Sequence, residues 1–346
     1  MMNIDKFKEL LSVPTKTYEE TKMVEYIMSS ISDMDGVTLT CDEHNNIYAV
    51  KGTLGEGEFY PMFISHTDTV HELVDLIDVK EEYLLRPYTF GKDFGNEQTL
   101  CLKAYDKDGN PTGIGGDDKC GIFICLELLQ KLDKVKVAFF VSEETGCHGS
   151  SNCDVSFLKD VAYITQYDAP GNHLITEICS GVQLFERESE FFQKTLPLIE
   201  NGFGGEVLIQ SHPYTDISQL KKKSDVCCIN MSCGYYNMHS SQEFISIKDV
   251  EDAINIGKNM VETLGLKKYK YEYKPLVYNS QTVMNSLLQF QDDEYEEETY
   301  QLQTMDVVED EDGLYLVDAI DGVPFFVSDE DFPDLYEIIK NRLLNM

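Results

Sequence analysis

Two apolar stretches with a helical pattern between them most restrict the folds open to this chain. Residues 59–64 and 135–141 are short and almost wholly apolar, which is typical of strands buried on both faces of a sheet. Between them, residues 117–132 carry apolar side chains, such as Ile122 and Leu129, at a spacing that places them on one face of a helix. Strand, helix and strand in this order predict an α/β sheet covered by helices.

Weaker patterns extend this sheet in both directions. Residues 247–264 are amphipathic and predict a helix, Thr17 and Glu20 have the spacing of a capping box, and residues 84–104 predict a hairpin. Four further stretches have the length of strands: residues 46–50, 163–166, 181–184 and 226–231. We therefore predict an α/β fold, with a mixed central sheet and helices on both of its faces.

The chain is long enough for a main domain and an appendage. Its 346 residues exceed the roughly 250–300 at which a single core stops growing. Residues 292–312 hold eleven acidic side chains and no lysine or arginine, which indicates a solvated linker or face. Three elements are predicted after it, two strands and a helix: residues 314–320, 323–327 and 332–344. We expect a main domain over residues 1–275, then an acidic linker and a small α+β module over residues 276–346.

The net charge excludes two classes of partner. The chain has 62 acidic and 28 basic side chains and a formal charge of −34, which opposes binding to nucleic acids and to anionic membrane surfaces. No apolar stretch approaches the roughly 20 residues needed to cross a bilayer. Ten cysteines without a paired spacing, and the lack of a signal peptide, predict reduced thiols and a cytoplasmic protein.

Histidine and acidic side chains follow the predicted core strands, at the edge where an open α/β sheet binds ligands. His66 and Asp68 come directly after residues 59–64. Their spacing lets the carboxylate hold one imidazole nitrogen while the other faces a metal. Glu143 and Glu144 follow residues 135–141, where burial would require a ligand or a partner.

Three more groups occupy comparable places in the chain. Asp117 and Asp118 begin a predicted helix after a glycine-rich approach, where an aspartate is commonly a cap. Asp168 follows residues 163–166, and His239 lies in a polar loop further on. Each group alone has an ordinary structural explanation. Their repeated occurrence at the ends of elements favours one shared site.

This series of motifs resembles the di-zinc exopeptidase clan. Asp117 and Lys119 resemble its Asp-x-Lys ligand motif, and Glu143 and Glu144 resemble its pair of general base and ligand. The first half of the chain is most similar to peptidase T, carboxypeptidase G and aminoacylase-like enzymes. The stretch around His239 is closer to the single-domain aminopeptidases of the same clan.

The resemblance covers about residues 4–266 and implies a zinc exopeptidase-like fold with two zinc ions, whose ligands manganese or cobalt could also use. Asp68 would orient His66, and Glu143 would be the general base. Asp117 would bind both metals, and three carboxylates would offset most of the +4 charge. The implied ligands are His66, Asp117 and Asp168 for one metal, and Asp117, Glu144 and His239 for the other.

The implied reaction is hydrolysis of an amide bond in a short peptide by a metal-activated water. Arginine, the usual bidentate partner of a free carboxylate, is scarce, with only Arg86, Arg187 and Arg342. An acidic cleft suits a protonated amine. These features favour an aminopeptidase or tripeptidase that releases the N-terminal residue. The alternatives are an N-acyl amino acid deacylase or carboxypeptidase-type amidohydrolase, and a metal-free binding protein, against which the complete ligand set and Glu143 argue.

The chain also departs from the clan. Two-domain members insert a lid between the positions of Asp168 and His239, and the segment here is too short for one. We therefore expect residues 186–219 to form a loop excursion, with Asp216 capping a short helix. Since such lids commonly dimerise, the oligomeric state stays open. Five other histidines are predicted to lie on the surface or in loops: His44, His71, His148, His173 and His212.

Overall fold

The structure of the protein, a computed structural model, describes residues 2–74, 76–90, 93–273, 305–310, 313–318 and 324–327. The chain divides into two compact units, Met1–Lys274 and Pro275–Met346. All ten cysteines lie among the described residues and are free thiols. Within the same residues, the search for a helix with the length and apolar character to cross a bilayer finds none.

The first unit alternates helices and strands. Its α-helices are α1 (Ile4–Leu11), α2 (Thr21–Ser32), α3 (Gly116–Lys131), α4 (His148–Ser151), α5 (Glu190–Phe203), α6 (Asp216–Lys223) and α7 (Ile247–Leu264), with a 3₁₀-helix at Val155–Leu158. Its strands are β1 (Val37–Cys41), β2 (Ile47–Lys51), β3 (Tyr60–His66), β4 (Asp78–Phe90), β5 (Asp93–Tyr105), β6 (Pro111–Thr112), β7 (Val135–Phe140), β8 (Val161–Ala169), β9 (Leu174–Cys179), β10 (Val182–Gln183), β11 (Leu208–His212), β12 (Cys228–Ser232), β13 (Tyr235–Tyr236) and β14 (Phe244–Ser246).

The central sheet has a parallel core with antiparallel neighbours. Its strand order is β1-β2-β7-β3-β8-β12-β9-β10, with β11 beside β9. Strands β7, β3, β8 and β12 run parallel, whereas β2 and β9 are antiparallel to their neighbours in this core. Every residue of β3 and β7 is buried, as their apolar sequences predicted, and every residue of β8 is buried too.

Helices cover both faces of this sheet. Gln166 of β8 accepts a hydrogen bond from the backbone N–H of Ile217 in α6, at 2.8 Å. The next residue, Tyr167, points the other way, since a methyl group placed on Gly257 of α7 would lie 2.3 Å from its hydroxyl. Successive side chains of a strand point to opposite faces, so α6 and α7 lie on opposite sides. The predicted α/β class, with a mixed sheet between helices, is confirmed.

A long hairpin, β4 with β5, builds a second sheet. The predicted hairpin is confirmed and is longer than residues 84–104, because the paired register runs from Asp78 with Tyr105 to Phe90 with Asp93. Strand β14 pairs with β5, and β13 pairs with β14. The loop between β13 and β14, which contains His239, is therefore held against this second sheet.

The prediction of a loop over residues 186–219 is wrong. This segment forms α5, β11 and the start of α6. Gly202, Gly204 and Gly205 suggested irregular chain, but Ser189 caps α5 by accepting a hydrogen bond from the N–H of Phe192 at 3.2 Å. Gly202 lies against Ile256 of α7, where an added Cβ would be 2.2 Å from Ile256 Cγ1. This glycine therefore serves helix packing.

The predicted capping box of α2 is also wrong. The helix begins at Thr21 after Glu20, and no side chain caps it. Thr17 instead donates its hydroxyl hydrogen bond to Asp68 Oδ2, at 2.9 Å. Glu20 accepts a hydrogen bond from the backbone N–H of Ser142, at 2.7 Å. Both side chains are used by distant strand ends, which local spacing does not reveal.

The described part of the second unit is a three-stranded antiparallel sheet of β15 (Met305–Asp310), β16 (Gly313–Asp318) and β17 (Pro324–Val327). Both predicted strands are present, and β15 comes from the acidic stretch that was expected to be a linker. The register pairs Val307 with Leu316 and Leu316 with Phe325. The helix predicted over residues 332–344 lies outside the described residues.

Candidate metal centre

Three adjacent parallel strands bring acidic and histidine side chains to one edge of the central sheet. His66 is the last residue of β3, and Asp168 is next to last in β8. Glu143 and Glu144 follow β7 after a two-residue connection. Parallel strands end at the same edge, so these side chains converge. Asp117 joins them from the start of α3, and His239 joins them from the loop between β13 and β14.

Asp117 lies between the two histidines. Its Oδ1 is 3.1 Å from His66 Nε2, and its Oδ2 is 3.2 Å from His239 Nε2. Each oxygen of one carboxylate thus faces a different imidazole. Of the predicted site residues, Asp117 is the one that has contacts with both histidines.

Asp168 and Glu144 flank this central group on opposite sides. Asp168 Oδ1 is 3.8 Å from His66 Nε2, and Glu144 Oε1 is 3.5 Å from His239 Nε2. One potential ligand atom from each of His66, Asp117 and Glu144 lies within 4.8 Å of the other two. The structure therefore brings together all five residues that the sequence predicted as ligands.

Asp68 is buried and organises two strand ends at once. Its Oδ1 lies 3.2 Å from His66 Nδ1 and accepts a hydrogen bond from the N–H of Glu143, at 3.0 Å. Its Oδ2 accepts from the N–H of Glu144, at 3.1 Å, and from the hydroxyl of Thr17. Burial would raise the pKa of Asp68, but its interaction with His66 lowers it below the usual value. This carboxylate orients the imidazole and also holds the backbone of the two glutamates.

The adjacent aspartates at the start of α3 serve different purposes. Asp118 is fully buried and caps the helix, since its Oδ1 accepts a hydrogen bond from the N–H of Gly121 at 3.0 Å. Its Oδ2 accepts from the backbone N–H of His66, at 3.3 Å. Asp117 points instead toward the two imidazole rings. The ordinary structural explanation therefore applies to Asp118 and not to Asp117.

Asp168 is held by polar side chains on both of its oxygens. Its Oδ2 accepts hydrogen bonds from the hydroxyl of Thr215, at 2.6 Å, and from the amide of Gln166, at 3.2 Å. Its Oδ1 accepts from the hydroxyl of Tyr235, at 3.3 Å. These contacts join β8 to the N-terminus of α6 and to β13.

The prediction that Asp216 caps α6 is wrong. Thr215 occupies the capping position and no side-chain hydrogen bond caps the helix, whereas Asp216 is fully buried. Its Oδ1 accepts a hydrogen bond from the hydroxyl of Ser150, at 2.6 Å. Burial raises the pKa of Asp216 to about 7. The turn that precedes α6 directs this side chain inward, which local spacing does not predict.

Sequence reasoning missed a buried pair that holds the Asp117 loop. Glu243 Oε2 accepts a hydrogen bond from the N–H of Gly115, at 2.9 Å, and its Oε1 accepts from the N–H of Asp117, at 3.2 Å. His71 lies in a loop, as predicted, and its Nε2 is 2.7 Å from Glu243 Oε2. The only signal for Glu243 in the sequence was its place four residues after His239.

The titration properties of the centre reflect crowding of buried acids around two imidazoles. Burial alone would lower the pKa of His66, but the surrounding aspartates raise it well above its ordinary value. The oxygens of Asp117 and Glu144 raise the pKa of His239 to about 10. Burial would raise the pKa of Asp117, but hydrogen bonds with both histidines lower that pKa below its usual value. For Glu144 the effect of burial is larger, and its pKa is raised. Because a histidine must be neutral to bind a metal, a divalent cation would compete with protons at these imidazoles.

The donor set fits divalent cations. Two imidazoles and three carboxylates are ligand types that zinc uses, and manganese or cobalt can use them too. Glu144 Oε1 is buried without a hydrogen-bond partner among the described residues, because 3.5 Å to His239 is too long for a good hydrogen bond. A bound cation would satisfy this oxygen and neutralise the cluster. The centre is therefore a candidate metal site.

A cleft of about 280 Å³ opens at this centre. Its floor carries Asp117, Glu144 and Asp168 together with Glu143, which is only 4% exposed. Burial raises the pKa of the Glu143 carboxyl well above its usual range. A carboxylate of raised pKa next to a ligand cluster has the properties of a general base.

Left-handed backbone conformations are concentrated around the cleft. Ser142, Cys147, Asn237 and His239 have φ angles of 54°, 57°, 55° and 58°, although none is a glycine. Such conformations cost of order 1 kcal/mol each and persist where surrounding contacts enforce them. They direct the side chains of Glu143 and His239 into the site.

Glu20 supports the residue that precedes Glu143. It is 8% exposed, and its Oε1 accepts hydrogen bonds from the N–H and the hydroxyl of Ser142, at 2.7 and 3.3 Å. Burial, followed by the charge of Asp68, raises the pKa of Glu20 to about 7. The folded protein therefore binds a proton here between about pH 4.5 and 7 that the unfolded chain releases.

We predict that Glu20→Gln stabilises the metal-free protein at pH 8 by about 1–3 kcal/mol and changes little at pH 5. The pKa of Glu20 is higher in the folded protein than in the unfolded chain. Its contribution to stability is therefore lost as the pH rises from the unfolded-state pKa of 4.5 to the folded-state pKa of about 7. Glutamine keeps an acceptor for the Ser142 N–H without a buried charge. Urea unfolding of both proteins at the two pH values measures the difference. A variant that is less stable than the parent at pH 8 would refute the prediction.

The arginines of the described residues are engaged away from the cleft. Arg86 is buried and donates to Asp249 Oδ1 at 2.6 Å, and Arg187 pairs with Glu177 through two hydrogen bonds of 2.8 and 2.6 Å. Arg342 lies outside the described residues. Of the other histidines, His212 lines the cleft, and its Nδ1 lies 2.9 Å from the carbonyl oxygen of Tyr214.

Comparisons with known proteins were made on sequence and on structure. Neither a protein-family model nor a curated protein sequence matches this chain. Among solved structures, aminopeptidase PepT from Bacillus cereus aligns at 13% identity and a TM-score of 0.59, covering 75% of this chain and 97% of that one. A tripeptidase from Staphylococcus aureus aligns at 12% identity and a TM-score of 0.54, covering 75% and 98%. Aminopeptidase APDkam598 from the archaeon Desulfurococcus kamchatkensis aligns at 14% identity and a TM-score of 0.53, covering 76% and 95%.

These likenesses show that the chain shares the fold of three peptidases over about three quarters of its length. At the level of the fold, the resemblance to aminopeptidases and peptidase T-like enzymes that the sequence predicted is confirmed.

Proposed function

We propose that this chain is a metal-dependent aminopeptidase that hydrolyses short peptides and releases their N-terminal residue. Its catalytic domain would be residues 1–275. His66, Asp117 and Asp168 would bind one zinc ion, and Asp117, Glu144 and His239 would bind the other. Bound zinc would supply Lewis acidity, which lowers the pKa of a water from about 15.7 toward about 7.

The observation that carries this proposal is the position of Asp117. Its two oxygens lie 3.1 and 3.2 Å from the Nε2 atoms of the buried His66 and the exposed His239, in a cluster that lines a cleft. A structural helix cap would point one oxygen at its own helix, as Asp118 does. Two imidazoles and two further carboxylates, Asp168 and Glu144, surround this carboxylate, and a bound cation would offset the negative charge of the three acids.

Glu143 is the proposed general base. It accepts a proton from the attacking water and transfers it to the leaving amine, and its raised pKa suits both steps. Asp68 is a positioning residue for this step. It accepts the backbone N–H groups of Glu143 and Glu144, and it keeps the His66 ring in place.

Aminopeptidase activity is favoured over deacylase or carboxypeptidase activity. Among the described residues that line the cleft, none is lysine or arginine, so a substrate carboxylate would have no strong partner there. Asp117, Glu144 and Asp168 would instead attract a protonated amine. The solved structures with this fold include two aminopeptidases and a tripeptidase, which supports peptides as the substrate class.

The test combines metal analysis with a substrate panel. The full chain is stripped with a chelator, reloaded with zinc and analysed for bound metal. It is then offered free tripeptides and their N-acetylated forms. We expect two zinc ions per chain and release of the N-terminal amino acid from the free tripeptides only. Cleavage of the acetylated forms alone would establish the deacylase, and protein that binds no metal would exclude the proposal.

A further inference from the structure

Four apolar or aromatic side chains line one part of the cleft, Pro170, Pro213, Tyr214 and Met238, beside the polar Gln210, Ser211 and His212. Tyr214 and Met238 are 39% and 42% exposed, although both are large hydrophobic side chains. Exposed apolar surface in a concave site usually marks where an apolar ligand group binds.

Both exposed side chains are tied to the candidate metal ligands. Met238 precedes His239 in the loop whose left-handed backbone turns that histidine inward. Tyr214 donates its hydroxyl hydrogen bond to the backbone oxygen of Glu144, at 3.0 Å. These apolar side chains therefore lie directly beside the metal centre.

The described lining of the cleft has few groups that could pair with an acidic side chain of a substrate. Lysine and arginine are missing from the described lining of the cleft, and its two histidines are His239, a candidate ligand, and His212. The ring nitrogen Nδ1 of His212 is engaged with the carbonyl oxygen of Tyr214. An acidic substrate side chain would meet acidic neighbours without a compensating cation.

We propose that the surface formed by Tyr214 and Met238 receives the side chain of the released N-terminal residue and selects bulky apolar residues such as leucine, methionine and phenylalanine. This inference rests on the proposed aminopeptidase function. In that reaction the amine and the scissile carbonyl of the first residue both lie at the metal centre. Its side chain would therefore point to the lining next to the ligands, where Tyr214 contacts Glu144 and Met238 precedes His239.

The volume of the cleft agrees with a small occupant. Its volume of about 280 Å³ is slightly below the roughly 300–1,000 Å³ that is usual for small-molecule sites. The site therefore suits one bulky side chain with the adjoining peptide bond, and not an extended segment.

The experiment compares two series of tripeptides with the zinc-loaded full chain. In the X-Gly-Gly series, only the released residue varies. We expect kcat/KM for Leu-Gly-Gly to exceed that for Ala-Gly-Gly by about 10- to 100-fold, with Glu-Gly-Gly below both. In the Gly-X-Gly series, the same change in X should have less than about a tenth of this effect.

Met238→Ala should lower the ratio of kcat/KM for Leu-Gly-Gly to that for Ala-Gly-Gly by about tenfold, because it removes much of the apolar surface formed by Tyr214 and Met238. Leu208→Ala is the matched control, since Leu208 is 52% exposed in β11 and does not line the cleft. This control should leave the ratio unchanged.

Two results would overturn the inference while leaving the aminopeptidase intact: a preference for Glu-Gly-Gly or Ala-Gly-Gly, or selectivity that follows X only in the Gly-X-Gly series. An unchanged ratio in Met238→Ala would also overturn it. If no tripeptide of either series is cut, the proposed function itself fails.

Discussion

Glu143→Gln should lower kcat for tripeptide hydrolysis by about 10²- to 10⁴-fold, the usual contribution of a general base, while two metal ions stay bound. Glutamine has almost the same volume as glutamate, and the backbone N–H of residue 143 would still donate to Asp68. What the substitution removes is the ability to accept a proton. Steady-state kinetics together with metal analysis of the same preparation measure both effects.

The matched control for Glu143→Gln is Glu127→Gln. Glu127 is also buried, at 7% exposed, but it lies in α3 and pairs with Lys131. Its substitution changes a buried carboxyl of the same kind without touching the cleft, so activity should remain. Full activity in Glu143→Gln would show that another group is the base.

Asp117→Ala should weaken metal binding by more than about 100-fold and remove both ions. Even residues that only support a ligand contribute about 10- to 100-fold, and Asp117 faces both histidines. Of the two histidines, Asp168 lies near His66 only, so Asp168→Ala should leave about one metal ion per chain. Titration with zinc in the presence of a competing chelator measures both the affinity and the stoichiometry.

Asp118→Asn provides the control from the neighbouring position. Its retained oxygen can still accept the N–H of Gly121, and Asp118 does not contact either imidazole ring in the described contacts. This variant should keep two metal ions. The assignment of the bridging role would be wrong if Asp118→Asn lost both ions while Asp117→Ala retained them.

Much of the fold was predictable because it depends on local patterns. Strands β3 and β7 are short apolar runs, and helix α7 was predicted over residues 247–264, the range that it occupies. Helix α5 was missed because glycines such as Gly202 suggest irregular chain when the sequence is considered alone. Gly202 is explained by the close approach of Ile256, a contact that exists only after α5 and α7 pack.

The supporting residues of the site show the same limit more clearly. Thr17 and Glu20 have the spacing of a capping box, and Asp216 has the place of a helix cap. In the folded chain, Thr17 binds Asp68, Glu20 binds Ser142, and Asp216 is turned into the interior. The spacing of residues along the chain predicts which hydrogen bonds a polar side chain can form within its own turn. It does not predict which residue from a distant part of the chain will bind that side chain instead.

The α/β class and the polar groups that follow buried strands could be predicted because both depend on residues that are near neighbours along the chain. That Asp117 faces the two imidazoles while Asp118 caps a helix became visible only in the folded chain. The same is true of Glu20 and Glu243, which hold the loops of the site. Those contacts join residues as far as 122 and 128 positions apart, and they form only when strands and helices from separate parts of the chain pack together.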